Sequence, residues 1–191
     1  YPSSTYRLQL RNGMDFGRAR KLVPYLHDLG ISHLYASPVM TATSGSTHGY
    51  DVTRMDEIDP GLGGLGGLRA LAGDLHERGM GLILDNVPNH MAASLENPWW
   101  RSVVTWGAGS PFSRHFDIDW SQKLTLPFLG RSFEEELSEG AVRLVLDPHR
   151  DALALRYYDS VYPLHPGTYR DVLDGHADLA IAADPKSDPD G

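Results

Sequence analysis

The sequence predicts an α/β fold built around a parallel sheet. Three segments have strand patterns, at residues 5–10, 32–36 and 81–87, and two helical segments separate them. Residues 80–84 carry no polar side chain, which is typical of a strand buried on both faces of a parallel sheet. Because right-handed crossovers join such strands, the β-α-β-α-β order places all three in one sheet.

The two predicted helices have terminal signals as well as apolar spacing. Asp15 can cap the first helix, and Gly30 supplies its C-terminal stop. Pro24 lies inside this helix and predicts a kink. The second helix is expected at residues 66–78, whereas residues 41–60 predict a long loop. Apolar positions keep three-and-four spacing in both helices: Phe16, Ala19, Leu22, Val23, Leu26 and Leu29, then Leu68, Leu71, Ala72 and Leu75.

The sequence pattern changes after residue 91, which predicts three parts. Residues 1–91 hold the β/α units, and residues 92–183 form a smaller mixed subdomain inserted after the third strand. In that subdomain, aromatic residues alternate with Gly, Pro and Ser, and helical periodicity is weak. Residues 141–146 and 152–158 can pair as a hairpin. The Pro/Asp/Gly-rich tail, residues 184–191, is expected to be disordered.

Composition excludes several classes of function. The chain has 191 residues and a net charge of −8, so a nucleic-acid backbone is not an expected partner. It has no cysteine, which removes disulfides and thiolate metal sites. No apolar run approaches the roughly 20 residues of a membrane span. We therefore expect a cytoplasmic domain with neither a nucleic-acid nor a membrane partner.

A glycine-rich segment offers one candidate site. Residues 61–66 match G-x-G-x-x-G, and Asp85 ends a strand roughly 20 residues later, as in a dinucleotide fingerprint. Residues 51–60, however, contain four carboxylates and end in proline, where the fingerprint requires a buried strand. Like charges beside a pyrophosphate cost about 1–4 kcal/mol each at a few ångströms. We therefore interpret the glycines as the flexible start of a helix and expect no cofactor.

A second candidate site follows the second and third strands. Its side chains are His48, Tyr50, Asp51, Asp85, Asn89 and His90. Loops after neighbouring strands of a barrel open on the same face, so these groups are expected to meet. A tyrosine ring can stack on a sugar, and imidazole and carboxylate groups can bind its hydroxyls. A metal site of His48, His90, Asp85 and Asn89 matches no dense ligand motif, although a calcium ion near Asn89 stays open as an alternative.

These residues carry a resemblance to a known family. Residues 85–90 resemble the first signature of the α-amylase family (glycoside hydrolase family 13), D-x-V-x-N-H, at the end of the third barrel strand. Residues 47–50 resemble the sugar-stacking loop after strand two. Further segments resemble a trehalose-forming branch of this family: residues 4–10, 34–38, 45–52, 89–92, 96–100, 116–120, 126–130 and 163–169. The similarity covers about residues 3–175.

The resemblance implies the N-terminal part of a (β/α)8 TIM barrel, comprising its first three strands and the insertion. It also implies an intramolecular transglucosylase acting on maltooligosaccharides, in which the reducing-end α-1,4 linkage becomes an α,α-1,1 linkage. In that family Tyr50 would stack on the sugar, His90 would bind its hydroxyls, and His48 and Asp51 would border the same subsite. Ser37, Asp85 and Asn89 would support them.

One family pattern is missing from the chain. No G-x-R-x-D, the pattern of the family's nucleophile, occurs in the sequence. A complete barrel takes about 250 residues, so the nucleophile and general acid are expected beyond Gly191, in the rest of a parent polypeptide. The chain alone is then expected to be inactive and to expose the edges of its first and third strands. An α-glucan hydrolase fragment and a carbohydrate-binding remnant are the alternative functions.

Overall fold

The computed structural model describes residues 1–147 and 150–172. The chain divides into two compact units, Tyr1–Asn97 and Pro98–Gly191. The predicted domain limits at residues 91 and 183 remain predictions, and the predicted tail at 184–191 lies outside the described residues. None of the helices in the described ranges combines the length and apolar character that crossing a membrane requires.

The first unit is built on a parallel sheet. In chain order its elements are β1 (Thr5–Leu8), α1 (Phe16–Asp28), β2 (His33–Ala36), β3 (Met40–Ala42), β4 (Val52–Ile58), α2 (Gly64–His76) and β5 (Gly81–Leu84). Strands β1, β2 and β5 lie side by side in that order and are parallel. Leu8, Ala36 and Leu84 share one register row, so the carboxyl ends of the three strands meet at the same edge. The predicted parallel sheet is confirmed.

Helix α1 begins and ends at the predicted signals. The Asp15 side chain accepts a hydrogen bond from the backbone N–H three residues later, at 2.7 Å. Gly30 has a φ of 81°, and the N–H of Ile31 bonds the carbonyl of Leu26 at 3.0 Å, which is the Schellman arrangement. The helix continues through Pro24 as one element.

The predicted loop at residues 41–60 is wrong, because β3 and β4 form an antiparallel hairpin there. The acidic residues that argued against a strand have partners. Glu57 accepts a hydrogen bond from the Thr41 hydroxyl at 2.8 Å, and Arg54 lies 3.5 Å from Asp56. A strand therefore does precede the glycine-rich segment, but among the described residues it pairs with β3 alone and lies outside the parallel sheet.

The glycine-rich segment serves helix packing. Helix α2 begins at Gly64, two residues before the predicted start. A Cβ at Gly67 would lie 3.1 Å from Cδ2 of Phe16, a ring that is fully buried. Because Gly67 has no Cβ, α1 and α2 can approach each other closely. This packing accounts for a glycine inside a helix.

The core of the first unit lies between the sheet and its two helices. Leu29, placed on the apolar face by its spacing, is instead 53% exposed. Among the described residues, β1 and β5 each pair only with β2, so both sheet edges are open, as expected. The buried cluster contains Leu8, Leu10, Phe16, Ala19, Val23, Leu26, Leu34, Ala36, Val39, Leu62, Leu71, Leu75 and Met80.

The second unit combines helices with an antiparallel sheet. Its elements are α3 (Pro98–Trp106), α4 (Phe133–Ser138), β6 (Val142–Asp147), β7 (Ala152–Tyr157), β8 (Ser160–Pro163) and α5 (Tyr169–Val172). The β6–β7 pairing confirms the predicted hairpin. Helix α3 contradicts the expectation of weak helical structure before residue 141. It buries Ser102, Val103 and Trp106, while Trp99 stacks on Phe112 with ring centroids 5.4 Å apart.

The close approach of α1 and α2 generates a test of the packing. Gly67→Ala should lower the free energy of unfolding by about 1–3 kcal/mol, because the new methyl group crowds the buried ring of Phe16. Gly73→Ala is the matched control in the same helix, since a Cβ there meets nothing within 4 Å. It should stabilise the chain by up to about 1 kcal/mol. Urea unfolding followed by circular dichroism measures both; equal effects of the two substitutions would contradict the packing.

Candidate functional site

The candidate site lies at the carboxyl edge of the parallel sheet. Asp85 follows β5 directly, and its N–H bonds the carbonyl of Ala36 at 2.9 Å, which continues the sheet by one residue. Tyr50 ends the loop that connects β3 to β4. Its hydroxyl donates to Oδ2 of Asp85 at 2.5 Å, across 35 residues of sequence. The structure therefore brings together two of the predicted site residues.

Two further residues complete this cluster and were not predicted. The hydroxyl of Tyr35 donates to Oδ2 of Asp85 at 3.1 Å, and Nη2 of Arg7 lies 3.3 Å from the same oxygen. Nη2 also donates to the Tyr50 hydroxyl at 2.9 Å. Arg7 and Tyr35 are register partners on β1 and β2. Their neighbours Leu34 and Ala36 point into the core, so Arg7 and Tyr35 share the opposite face of the sheet.

The hydrogen bonds fix the charge of the cluster. The hydrogen bond from Tyr50, followed by those from Tyr35 and Arg7, outweighs burial and lowers the pKa of Asp85. The bond to Asp85 raises the pKa of Tyr50. Desolvation opposes the charge of Arg7, but its bonds to Tyr50 and Asp85 prevail and raise the pKa of the guanidinium. Asp85 is therefore a carboxylate and Tyr50 a neutral phenol at neutral pH.

The donors all reach one oxygen of Asp85. Among the described residues, no donor bonds its Oδ1. This atom is accessible to solvent rather than buried without a partner. An ionised carboxylate has acceptor capacity on both oxygens. The second oxygen is thus available to a further donor on the open face of the sheet.

Asp51 stabilises the loop that presents Tyr50. Its two oxygens accept hydrogen bonds from the hydroxyls of Thr43 and Ser46. Burial by itself would raise the pKa of Asp51, but these two hydrogen bonds outweigh it and lower the pKa. Both ends of the loop are also joined by the backbone, where the N–H of Thr43 bonds the carbonyl of Asp51 at 3.0 Å.

His48 forms a second ring surface beside Tyr50. The two ring centroids are 5.8 Å apart, with planes inclined by 23°. Nδ1 of His48 accepts the backbone N–H of Tyr50 at 3.0 Å, so the ring proton belongs on Nε2. The contact of 3.7 Å between this Nδ1 and Asp51 is then not a charge pair.

The remaining predicted residues follow the ends of β2 and β5 in the chain. His90 and Asn89 are exposed, and Nδ1 of His90 is 3.1 Å from Oδ1 of Asn89. Ser37 is fully buried directly after β2, where its hydroxyl accepts the N–H of Leu10 at 2.9 Å. Ser37 therefore supports the backbone beneath the site.

The segment after His90 is fastened to the loop that carries Tyr50. The N–H of Ala92 bonds the carbonyl of Val52 at 2.8 Å. Glu96 accepts hydrogen bonds from both the N–H and the hydroxyl of Ser44, each at 2.8 Å. The two loops are thus held against each other at two points.

One kind of metal-binding cluster is not found among the described residues. Across residues 1–147 and 150–172, no three His, Cys, Asp or Glu side chains lie close enough together to hold a metal ion. His48, Asp85 and His90, of the alternative metal site with Asn89, therefore form no such cluster.

A pH-dependent test follows from the state of Asp85. Its folded pKa lies below the unfolded value of about 3.9, so its stabilisation is present above that pH and is lost as the pH falls through the folded pKa. Asp85→Asn should lower the free energy of unfolding of the first unit by about 1–2 kcal/mol at pH 7. The difference in the free energy of unfolding between the wild type and Asp85→Asn should narrow below about pH 4.

Hydrogen exchange at the amides of β2 is the suitable measurement, because all 4 tryptophans lie in the second unit and fluorescence would miss the first. The control is Asp74→Asn. Asp74 lies on α2, pairs with Arg20 rather than with a residue of the site, and also has a pKa below its ordinary value. A gap between wild type and Asp85→Asn that stays constant from pH 7 to pH 3 would contradict the assignment.

The chain is similar to known proteins of one family. Residues 15–123 match the family described as "Alpha amylase, catalytic domain". A putative maltooligosyl trehalose synthase of Mycobacterium tuberculosis (strain CDC 1551 / Oshkosh) is 41% identical over 86% of this chain. The intracellular maltogenic amylase of Bacillus subtilis (strain 168) is 38% identical over 49% of the chain.

Solved structures give the same result. Maltooligosyltrehalose synthase from Arthrobacter ramosus superimposes with a TM-score of 0.78 and 41% identity, over 87% of this chain. The chain spans 22% of the length of that protein and 22% of the Mycobacterium tuberculosis relative. More than half of the sequence is covered by the family match at residues 15–123, and the chain belongs to the alpha-amylase catalytic-domain family.

Proposed function

We propose that this chain is part of an intramolecular transglucosylase that converts the reducing-end α-1,4 linkage of a maltooligosaccharide into an α,α-1,1 linkage. The observation that carries the proposal is the phenol of Tyr50 fixed to Asp85 at the carboxyl edge of the parallel sheet. Similarity to maltooligosyltrehalose synthases over most of the chain supports this reaction over other reactions of the family.

In this proposal the chain supplies the first three strands of a (β/α)8 barrel, followed by an inserted subdomain. The order β1–β2–β5 with parallel strands supports the barrel, and the open edges of β1 and β5 are where further strands would pair. The polar face with Arg7, Tyr35 and Asp85 would then line the barrel interior near its carboxyl end. Active sites of such barrels lie at that end.

The proposal assigns the substrate contacts to individual side chains. Tyr50 stacks on the glucose unit at the reacting subsite, and His48 borders the same subsite. His90 binds sugar hydroxyls, while Asn89 orients it through their hydrogen bond. Asp85 and Ser37 support the site rather than react, because Asp85 is already bound by three donors.

The reaction needs two catalytic carboxylic acids, and the G-x-R-x-D pattern of the family's nucleophile does not occur in the sequence. A carboxylate attacks the anomeric carbon while a second acid protonates the departing glycosidic oxygen. The released glucose then attacks the glycosyl intermediate through its anomeric hydroxyl and returns its proton to the acid, which leaves the number of bonds and protons unchanged. Water in place of this glucose would make the reaction a hydrolysis, so the complete site has to exclude water.

The chain by itself should therefore bind sugar without converting it. Incubation of purified chain with maltopentaose should leave the concentration of reducing ends constant, because no G-x-R-x-D nucleophile is present. A reducing-sugar assay over many hours measures this, with a complete maltooligosyltrehalose synthase as the positive control. Sustained loss of reducing ends would overturn the proposed inactivity, and a gain would favour a hydrolase.

Sugar binding is tested separately by calorimetry. Tyr50→Ala should weaken binding of maltopentaose by roughly tenfold, because it removes both the stacking ring and the bond to Asp85. Tyr25→Ala is the matched control, since Tyr25 is a 60% exposed tyrosine on α1 of the same unit. Absence of heat from the wild-type chain at millimolar sugar, or equal loss in the two variants, would argue against the proposed subsite.

A further inference from the structure

A buried ion pair lies behind the loop that carries Tyr50. Nη1 of Arg11 is 2.5 Å from Oδ2 of Asp59, and the two side chains are only 10% and 13% exposed. Nη2 of Arg11 donates to the carbonyl of Met40 at 2.8 Å. Because Met40 begins β3 and Asp59 follows β4, the guanidinium clamps both outer ends of the hairpin to the segment after β1.

The same guanidinium packs against the loop itself. A Cβ on Gly49 would lie 2.6 Å from Nε and 3.1 Å from Nη2 of Arg11. Gly49 has a φ of 82° and directly precedes Tyr50. A side chain at this position would meet the guanidinium and, at 3.1 Å, the carbonyl oxygen of Pro38, and the left-handed φ also favours glycine. The contact leaves Nε of Arg11 buried, with no hydrogen-bond partner among the described residues.

The backbone of Arg11 is held in an unusual conformation. Its φ is 79°, which is rare for a residue other than glycine and persists only where the surroundings enforce it. Arg11 and Met14 exchange two backbone hydrogen bonds, of 2.7 and 2.9 Å, that close the turn after β1. Together with the ion pair, these bonds fix the direction from which the guanidinium reaches the loop.

Asp59 ties the pair to a second element. Its other oxygen, Oδ1, accepts the N–H of Gly61 at 2.7 Å, in the turn that leads into α2. The ion pair thus connects the end of β1, the hairpin, the Tyr50 loop and the start of α2. None of these contacts involves Asp85 or the rings of the site.

We infer that Arg11 is a positioning residue for Tyr50, which through Gly49 sets the place of the phenol over Asp85. The inference deepens the proposed function and rests on it only for the sugar contact of the ring. The placement of Tyr50 against Asp85 is a property of the folded chain, and it can be measured without substrate.

Two substitutions disturb this contact from opposite sides. Arg11→Lys removes the planar guanidinium, and Gly49→Ala pushes the loop away while leaving both members of the ion pair in the sequence. Arg20→Lys is the matched control, because Arg20 pairs with Asp74 at 2.7 Å in the same unit, between α1 and α2. Hydrogen exchange at β2 shows whether each variant keeps the fold.

The readout is the NMR titration of the phenol carbon of Tyr50, assigned by its disappearance in Tyr50→Phe. In the wild type the bond to Asp85 raises the pKa of Tyr50 above that of a free tyrosine. In Arg11→Lys and Gly49→Ala this pKa should fall toward the ordinary value, and maltopentaose affinity should drop by roughly tenfold. Arg20→Lys should leave both the pKa of Tyr50 and the affinity for maltopentaose unchanged.

The outcomes separate the two claims. Folded Arg11→Lys and Gly49→Ala variants that titrate like the wild type would overturn the role of Arg11. A wild-type chain that binds no maltopentaose would overturn the proposed sugar contact, while the titration still decides whether Arg11 positions the ring. If Arg11→Lys fails to fold, the result from Gly49→Ala decides.

Discussion

One carboxylate oxygen organises the site of this chain. Oδ2 of Asp85 receives donors from Tyr50, Tyr35 and Arg7, which come from the β3–β4 loop, from β2 and from β1. The parallel register makes this possible, because it brings the carboxyl ends of β1, β2 and β5 to one edge. A charge in such a position is stable only while its donors stay in place. Asp85 therefore links the placement of Tyr50 to the integrity of the sheet.

The loop that presents Tyr50 is held from three directions that do not depend on each other. Within the loop, Asp51 binds the hydroxyls of Thr43 and Ser46. On one side, Glu96 and Ala92 tie the loop and the following strand to the segment after His90. Behind the loop, Arg11 packs on Gly49. A stacking ring loses little freedom on binding when its loop is already ordered, which favours affinity for a weakly held ligand such as a sugar.

Local signals made much of the first unit predictable, whereas contacts between distant residues stayed hidden. The Asp15 cap, the Gly30 stop and the apolar run before Asp85 act within a few residues, so the sequence displays them directly. Arg7 and Tyr35 join the site through bonds that span 78 and 50 residues, which no local pattern reveals. The alternation of polar and apolar residues along β1 was the sequence signal that could have indicated Arg7. The β3–β4 hairpin was missed because its carboxylates suggested a loop, although Thr41 and Arg54 pair with them.

The contacts of Asp85 also explain why, in the proposed function, sugar binding and cleavage of the glycosidic bond need different groups. In the proposed function Asp85 supports the site, because hydrogen bonds from Tyr50, Tyr35 and Arg7 stabilise its charge where it stands. In the proposed function the described residues provide a stacking ring, hydroxyl-binding groups and one open carboxylate oxygen. These are the requirements of a sugar subsite, and none of them breaks a glycosidic bond. In the proposed function a glucose unit held there reacts only with carboxylates from elsewhere, so the placement of Tyr50 would govern affinity in this chain and rate in a complete enzyme.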